Sequence, residues 1–173
     1  MTENGAPLGE LTIDGEVATL TYHRRLPYPI ADVWAAITEP EQRADWFGAT
    51  AIEPRAGGAI TMLPDDPPAA DDAKRMTGRI LVWDPPHVFE HEWRQRIIGD
   101  GVVRYELAED GGATLLTFVH RGLSVPNAKG FAPGEHAFLD RLDAHLGSRP
   151  LPGWSERYAE LTPSYPPMHD TVR

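Results

Sequence analysis

The stretch from Leu26 to Gly48 limits what this chain can fold into more than any other part of it. An extended apolar run stops at Pro27 and Pro29. A short amphipathic helix then carries Val33, Trp34 and Ile37, and Pro40 opens another helical turn that closes on Trp46, Phe47 and Gly48. A residue that precedes a proline avoids helical torsions, so the first helix, Ile30 to Thr38, ends before Pro40. Asp32 adds negative charge to its first turn, where the helix dipole favours it. Strand, helix, helix and strand are compressed into few residues, as when two small helices close one end of a curved sheet.

The rest of the chain supplies that sheet. Glu16 to Leu26 alternates as a first strand with Leu20 and Tyr22 on its inner face. Ala49 to Glu53 and Ala59 to Leu63 form a hairpin around the glycines at 57 and 58. Pro64 to Ala73 is polar and proline-rich, too poor in apolar surface to order itself, and is expected to be a mobile loop. Longer strands follow at Arg75 to Trp83, Val88 to Arg96, Val102 to Glu109 and Thr114 to Arg121, the last two joined at Asp110-Gly111-Gly112. Gly122 to Ala132 reads as loop. Gly134 to Leu146 reads as a long helix with Phe138, Leu139, Leu142 and Leu146 on one stripe, stopped by Gly147. Trp154 to Leu161 is a further helical segment, and the proline-rich tail from Pro163 is expected to fray. A long helix after an antiparallel sheet, with two small helices inserted early, is an α+β helix-grip arrangement of the START/Bet v 1-like kind. It can leave an apolar cavity between sheet and helix.

Composition narrows the partners. The 173 residues suit a single domain, spanning 9–165 with flexible tails at 1–8 and 166–173. A formal net charge of -10, with no basic run, argues against nucleic acid or an anionic membrane as partner. The absence of cysteine excludes disulfides, thiolate metal sites and cysteine nucleophiles. No apolar segment approaches a membrane span, and Met1 to Gly9 does not resemble a signal peptide, so a cytoplasmic protein is expected.

The same residues carry a resemblance. Arg24-Arg25-Leu26, Pro29, Val33-Trp34, Thr38-Glu39-Pro40 and Trp46-Phe47 are similar to the opening of the START-like (SRPBCC) superfamily, in the branch related to the C-terminal domain of the activator of Hsp90 ATPase. Gly78 to Pro86 resembles that branch's strand and double-proline turn, and Trp93, Gly111 to Thr114, Leu116, Phe118 and His120 fit the strands that follow. The resemblance runs from about Gly9 to Tyr165 and implies the fold. It implies little about chemistry. Its pattern has an aromatic after the glycine where this chain has Glu135, a tyrosine-like residue where it has His91, and a histidine where it has His120.

Pleating selects the candidate site, because residues two apart share a face. Phe89, His91 and Trp93 form one inward row; Val103, Tyr105 and Leu107 a second; Thr114, Leu116, Phe118 and His120 a third. Glu90 and Glu92 fall on the outer row as plain surface charge. The expected ligand-binding residues are Trp83, Phe89, His91, Trp93, Tyr105, Phe118, His120, Glu135 and Phe138, around a small lipophilic or aromatic molecule. His91, Tyr105 and His120 would orient it. Each also has a purely structural use, in a hydrogen bond to a backbone carbonyl. Glu135, placed at the start of the last helix, either complements the helix dipole or alters the pocket entrance.

Catalytic and cofactor signals are thin. His87 and His91 would lie about 13 Å apart on a strand, and His136 and His145 about two and a half helical turns apart, so neither pair shares a metal ion. Ser124, Ser148, Ser155 and Ser164 lack a nucleophile elbow, and no phosphate loop occurs. No cofactor and no catalytic residue is assigned. Two other readings stay open: a cyclase or aromatase-like enzyme in which His91, Tyr105 or His120 moves protons on a polyketide-like substrate, and a chaperone-linked module by analogy with the Hsp90 activator, whose separate N-terminal domain this chain lacks. An exposed strand edge beside the early hairpin leaves room for a homodimer.

Overall fold

A computed structural model describes residues 6–96 and 99–166. The ends expected to be flexible lie mostly outside that range.

The first element, β1 (Glu10–Asp14), was not expected. It turns back at Gly15, whose φ of 63° suits glycine, and pairs antiparallel with β2 (Val17–Leu26). Its residues are almost all exposed, so no hydrophobic alternation marked it. Then come α1 (Ile30–Thr38), α2 (Pro40–Trp46), β3 (Gly48–Ile52) and β4 (Ala59–Pro64). A single helical turn, α3 (Asp71–Lys74), begins within the segment expected to be a loop and ends one residue past it. Lys74 there is buried, and its Nζ donates to the Asp65 carbonyl at 3.1 Å. Strands β5 (Met76–Asp84), β6 (Val88–Gln95), β7 (Gly99–Asp110) and β8 (Ala113–Ser124) complete, among the described residues, one antiparallel sheet of eight strands, ordered β1-β2-β8-β7-β6-β5-β4-β3.

The sheet grips α4 (Val125–Leu146), and α5 (Trp154–Leu161) packs on that helix from outside. The helix begins well before the expected Gly134. Ser124 caps it by accepting from the Asn127 N–H at 3.2 Å, and Pro126 sits in the first turn, where its missing N–H costs nothing. Gly130, Pro133 and Gly134 then fall inside the helix, against their intrinsic preference. Side chains from elsewhere serve the backbone there. Tyr158 donates to the Gly130 carbonyl at 3.1 Å, Tyr22 to Ala132 at 2.9 Å and Trp154 to Gly134 at 3.1 Å. The chain after Pro163 does not fray at once: Tyr165 is buried, accepts the Gly9 N–H at 2.7 Å and contacts Nδ1 of His136 at 2.7 Å.

Core packing follows from strand register. Tyr22, Phe118, Tyr105, Phe89 and Trp83 stand directly opposite one another across β2, β8, β7, β6 and β5. Their ring centroids are 5.7, 5.0, 5.9 and 5.5 Å apart in that order. Trp34 of α1 ends the row, 5.3 Å from Trp83 and 6.4 Å from Phe89. Below it Val33, Ala36 and Ile37 are fully buried, and Trp46 donates to the Ala36 carbonyl at 2.9 Å. The two small helices are therefore fastened to the aromatic row and to each other.

Truncating the middle of this row should be costly. We expect Phe89→Ala to destabilise the protein by about 3–5 kcal/mol in urea unfolding, whereas Leu81→Ala, on the exposed outer face, should stay within about 0.5 kcal/mol of wild type.

Candidate functional site

One step along the strands from the aromatic row lies a second row, Leu20, His120, Val103, His91 and Ile80, again in direct register across the same five strands. It places two histidines on the inner face, either side of Val103. Both are completely buried.

Nδ1 of His91 lies 2.8 Å from the Glu92 carbonyl oxygen, which can only accept, so Nδ1 carries the proton. Nε2 is then an acceptor in the neutral ring. It is buried with no hydrogen-bond partner among the described residues. Burial holds this imidazole down at about 3, helped by the neighbouring Arg43 and His120.

His120 is held differently. Its Nδ1 pairs with Oε1 of Glu135 on α4 in a short hydrogen bond. The ring lies 5.0 Å from Trp93 and 5.3 Å from Phe131, both half-buried. A Cβ at Gly101 would come within 3.0 Å of both His120 Nε2 and the Arg121 carbonyl, so glycine provides the space the imidazole occupies. His120 Nε2 and Glu135 Oε2 are both buried without partners among the described residues. Glu135 also faces Tyr22, whose hydroxyl pKa is raised well above 10 by burial and then by this carboxylate.

Glu135 thus has a different place from the one its sequence position suggested. Because α4 starts at Val125, Glu135 lies within the helix and turns inward, so neither its dipole role nor an entrance at the helix start applies. The structure groups Trp83, Phe89, Tyr105 and Phe118 along the aromatic row, and His91, Trp93, His120 and Glu135 beside it. Phe138 stands apart, 4.7 Å from Phe47 and 5.7 Å from Trp154, facing α2 and α5. Glu90 departs from plain surface charge. It is buried on the outer face under Arg121 at 2.7 Å and Arg104 at 3.6 Å.

Sequence reasoning missed Arg43, fully buried on α2, and a cluster behind α4. There His136 contacts Tyr165 through Nδ1, and Asp140 lies 3.5 Å from His136 Nε2 and 2.7 Å from Arg157 Nε. Helical spacing of His136 and Asp140 was the one available signal for the latter. Two surface depressions, of about 580 and 600 Å³, lie on the outer side of the sheet, one along Thr77, Arg94 and Asp100 and the other along Arg55, Arg79 and Glu92. Neither includes a residue expected to bind ligand.

The buried neutral His91 makes stability depend on pH. In the unfolded chain it gains a proton below about 6.5, which the folded state refuses until about 3, so unfolding takes up a proton and stability falls as pH drops through that window. His91→Gln should remove about 1.4 kcal/mol per pH unit from the slope of stability between about pH 6 and pH 4, read as the difference between variant and wild-type urea curves.

Comparison with known proteins places this geometry. Residues 27–147 match the family described as Activator of Hsp90 ATPase homolog 1-like protein. Among curated proteins nothing matches the chain significantly. CalU16 from Micromonospora echinospora is 23% identical with a TM-score of 0.72, over 92% of this chain and 96% of that one. The protein MLL2253 from Mesorhizobium loti is 20% identical with a TM-score of 0.66, over 77% and 99%. DynU16, from the dynemicin biosynthetic locus, is 21% identical with a TM-score of 0.65, and the match covers 75% of this chain but only 47% of DynU16. At these identities the structural likeness shows the helix-grip fold alone. No helix among the described residues is long and apolar enough to cross a membrane.

Proposed function

We propose that this chain, which belongs to the activator of Hsp90 ATPase homolog 1-like family, binds a small lipophilic or aromatic molecule between its curved sheet and α4. The observation that carries the reading is the inward placement of His91 Nε2, His120 Nε2 and Glu135 Oε2, all buried without partners among the described residues. A buried polar atom left unpaired costs about 1–3 kcal/mol, so a group that exists only to stabilise the fold would be paired or apolar. A guest with an apolar body lies against the aromatic row while its polar atoms meet the histidine row. Entry is past the half-buried Trp93 and Phe131, whose rings are 6.0 Å apart over His120.

One observation favours a second reading, a cyclase or aromatase-like enzyme. The His120 and Glu135 pair has the form of an oriented base: the carboxylate fixes Nδ1, and Nε2 faces the interior. DynU16's place in a biosynthetic locus supports the same reading by likeness of fold. A chaperone role is supported by the family's name alone.

Titration with N-phenyl-1-naphthylamine tests the binding reading. A single saturable site should appear, and native mass spectrometry of protein purified from cells should show a retained small molecule. The absence of both would overturn it.

A further inference from the structure

The hydrogen bonds already made along the histidine row decide which atoms it has left to offer. His91 Nδ1 gives its proton to the Glu92 carbonyl, so Nε2 of this completely buried neutral ring presents only a lone pair. His120 Nδ1 faces Oε1 of Glu135, and a carboxylate oxygen accepts, so the proton again sits on Nδ1 and Nε2 of the neutral ring is an acceptor. Glu135 Oε2, the other oxygen of that carboxylate, is an acceptor too. All three atoms are buried without partners among the described residues.

The donors beside them are already engaged. Tyr22, which faces Glu135, gives its hydroxyl proton to the Ala132 carbonyl at 2.9 Å. The Trp93 ring N–H goes to Gln95 Oε1 at 3.1 Å. Leu20, Val103 and Ile80 complete the row with apolar side chains, and Phe131 beside His120 is apolar as well. The Tyr105 hydroxyl in the aromatic row can donate or accept and does not discriminate. Among the described residues, the row therefore meets the interior with acceptors, at two places. His91 and the His120–Glu135 pair stand on either side of Val103, so the two histidine Cα atoms are two strand spacings, about 10 Å, apart. That is the scale of two fused aromatic rings with a substituent at each end.

We propose that His91, His120 and Glu135 form an acceptor subsite, so that the guest of this protein is a hydroxylated aromatic whose O–H groups donate to His91 Nε2 at one end and to the His120–Glu135 pair at the other. The inference rests on the binding reading above and adds the chemical class. A ketone, quinone or ether oxygen in either place would set lone pair against lone pair and leave the buried atoms unmet. A phenol O–H facing the Glu135 carboxylate instead makes a charge-assisted bond. Binding transfers no proton and forms no covalent bond.

Calorimetry with 2,7-dihydroxynaphthalene and 2,7-dimethoxynaphthalene tests the proposal, since the two share a skeleton and the second has no donor. Wild type should bind the diol about tenfold or more tightly than the ether, the scale of one to two buried hydrogen bonds. His91→Leu removes one acceptor. Glu135→Gln still accepts from His120 Nδ1 through its carbonyl but puts an amide N–H where Oε2 stood, a donor in place of an acceptor. Each variant should shrink the preference for the diol by about threefold or more, with Glu135→Gln improving binding of the ether. Should one variant fold poorly, the other and the wild-type comparison still decide. Equal binding of the two compounds, tighter binding of the ether, or a preference that a folded variant leaves unchanged would overturn the acceptor subsite and leave the binding reading standing. Binding of neither compound would overturn both.

Discussion

Five aromatic side chains can touch across β2, β8, β7, β6 and β5 only if all five strands keep one register. Side chains alternate along a strand, so a slip of one residue in any pair would turn its aromatic to the outer face, and at Tyr105 it would bring Arg104 or Glu106 inward. The contact between rings is therefore a condition on the whole sheet. Trp34 extends the condition to the small helices, because α1 can seat its tryptophan only where Trp83 and Phe89 already stand. The neighbouring row inherits the same alignment across β2, β8, β7 and β6, while β5 takes up one extra residue in a bulge between Ile80 and Val82. His91 and His120 flank Val103 because the aromatics one step away fix which residues face each other.

That inheritance separates two kinds of interior. Along the aromatic row, burial is favourable, complete or nearly so from Tyr22 to Phe89 and partial at Trp83, and the polar tip of Tyr22 reaches a helix carbonyl. Along the histidine row, nitrogen and oxygen atoms stay without hydrogen-bond partners among the described residues, and beneath α2 a guanidinium is held by a carbonyl, a hydroxyl and a thioether rather than by a carboxylate. Methionine or leucine at these positions would pack without desolvating charge. Arg24 Nε and Nη2 and His136 Nε2 are likewise buried without hydrogen-bond partners among the described residues, so the histidine row is one of several places where the interior departs from the rule that buried polar atoms are paired.

Much of the fold was legible in the sequence. The prolines at 27, 29 and 40 place the small helices, and strict alternation puts Phe89, His91, Tyr105, Phe118 and His120 on the inner face. The failures have physical causes. β1 carries no hydrophobic alternation because it is an exposed edge. The first half of α4 contains Gly130, Pro133 and Gly134, residues that mark a loop unless tertiary contacts override them. That error displaced Glu135 to a helix end and hid its partnership with His120, which no local pattern encodes. Arg43 was unreadable for a similar reason: on a short helix of Pro, Glu, Gln, Arg, Ala, Asp and Trp, an arginine looks solvated until the sheet folds over it.

The donors that serve the middle of α4 bear on the order in which the grip assembles. Tyr22 comes from β2, while Tyr158 and Trp154 come from α5. A helix interrupted by proline, with glycine on either side, cannot sustain that turn by its own backbone ladder. The segment before Pro133 is therefore helical on loan from its surroundings, whereas the segment after it, through Leu139 and Leu142, has a ladder and a buried stripe of its own. The finger of the grip has two joints, and the proximal one takes its shape from the palm.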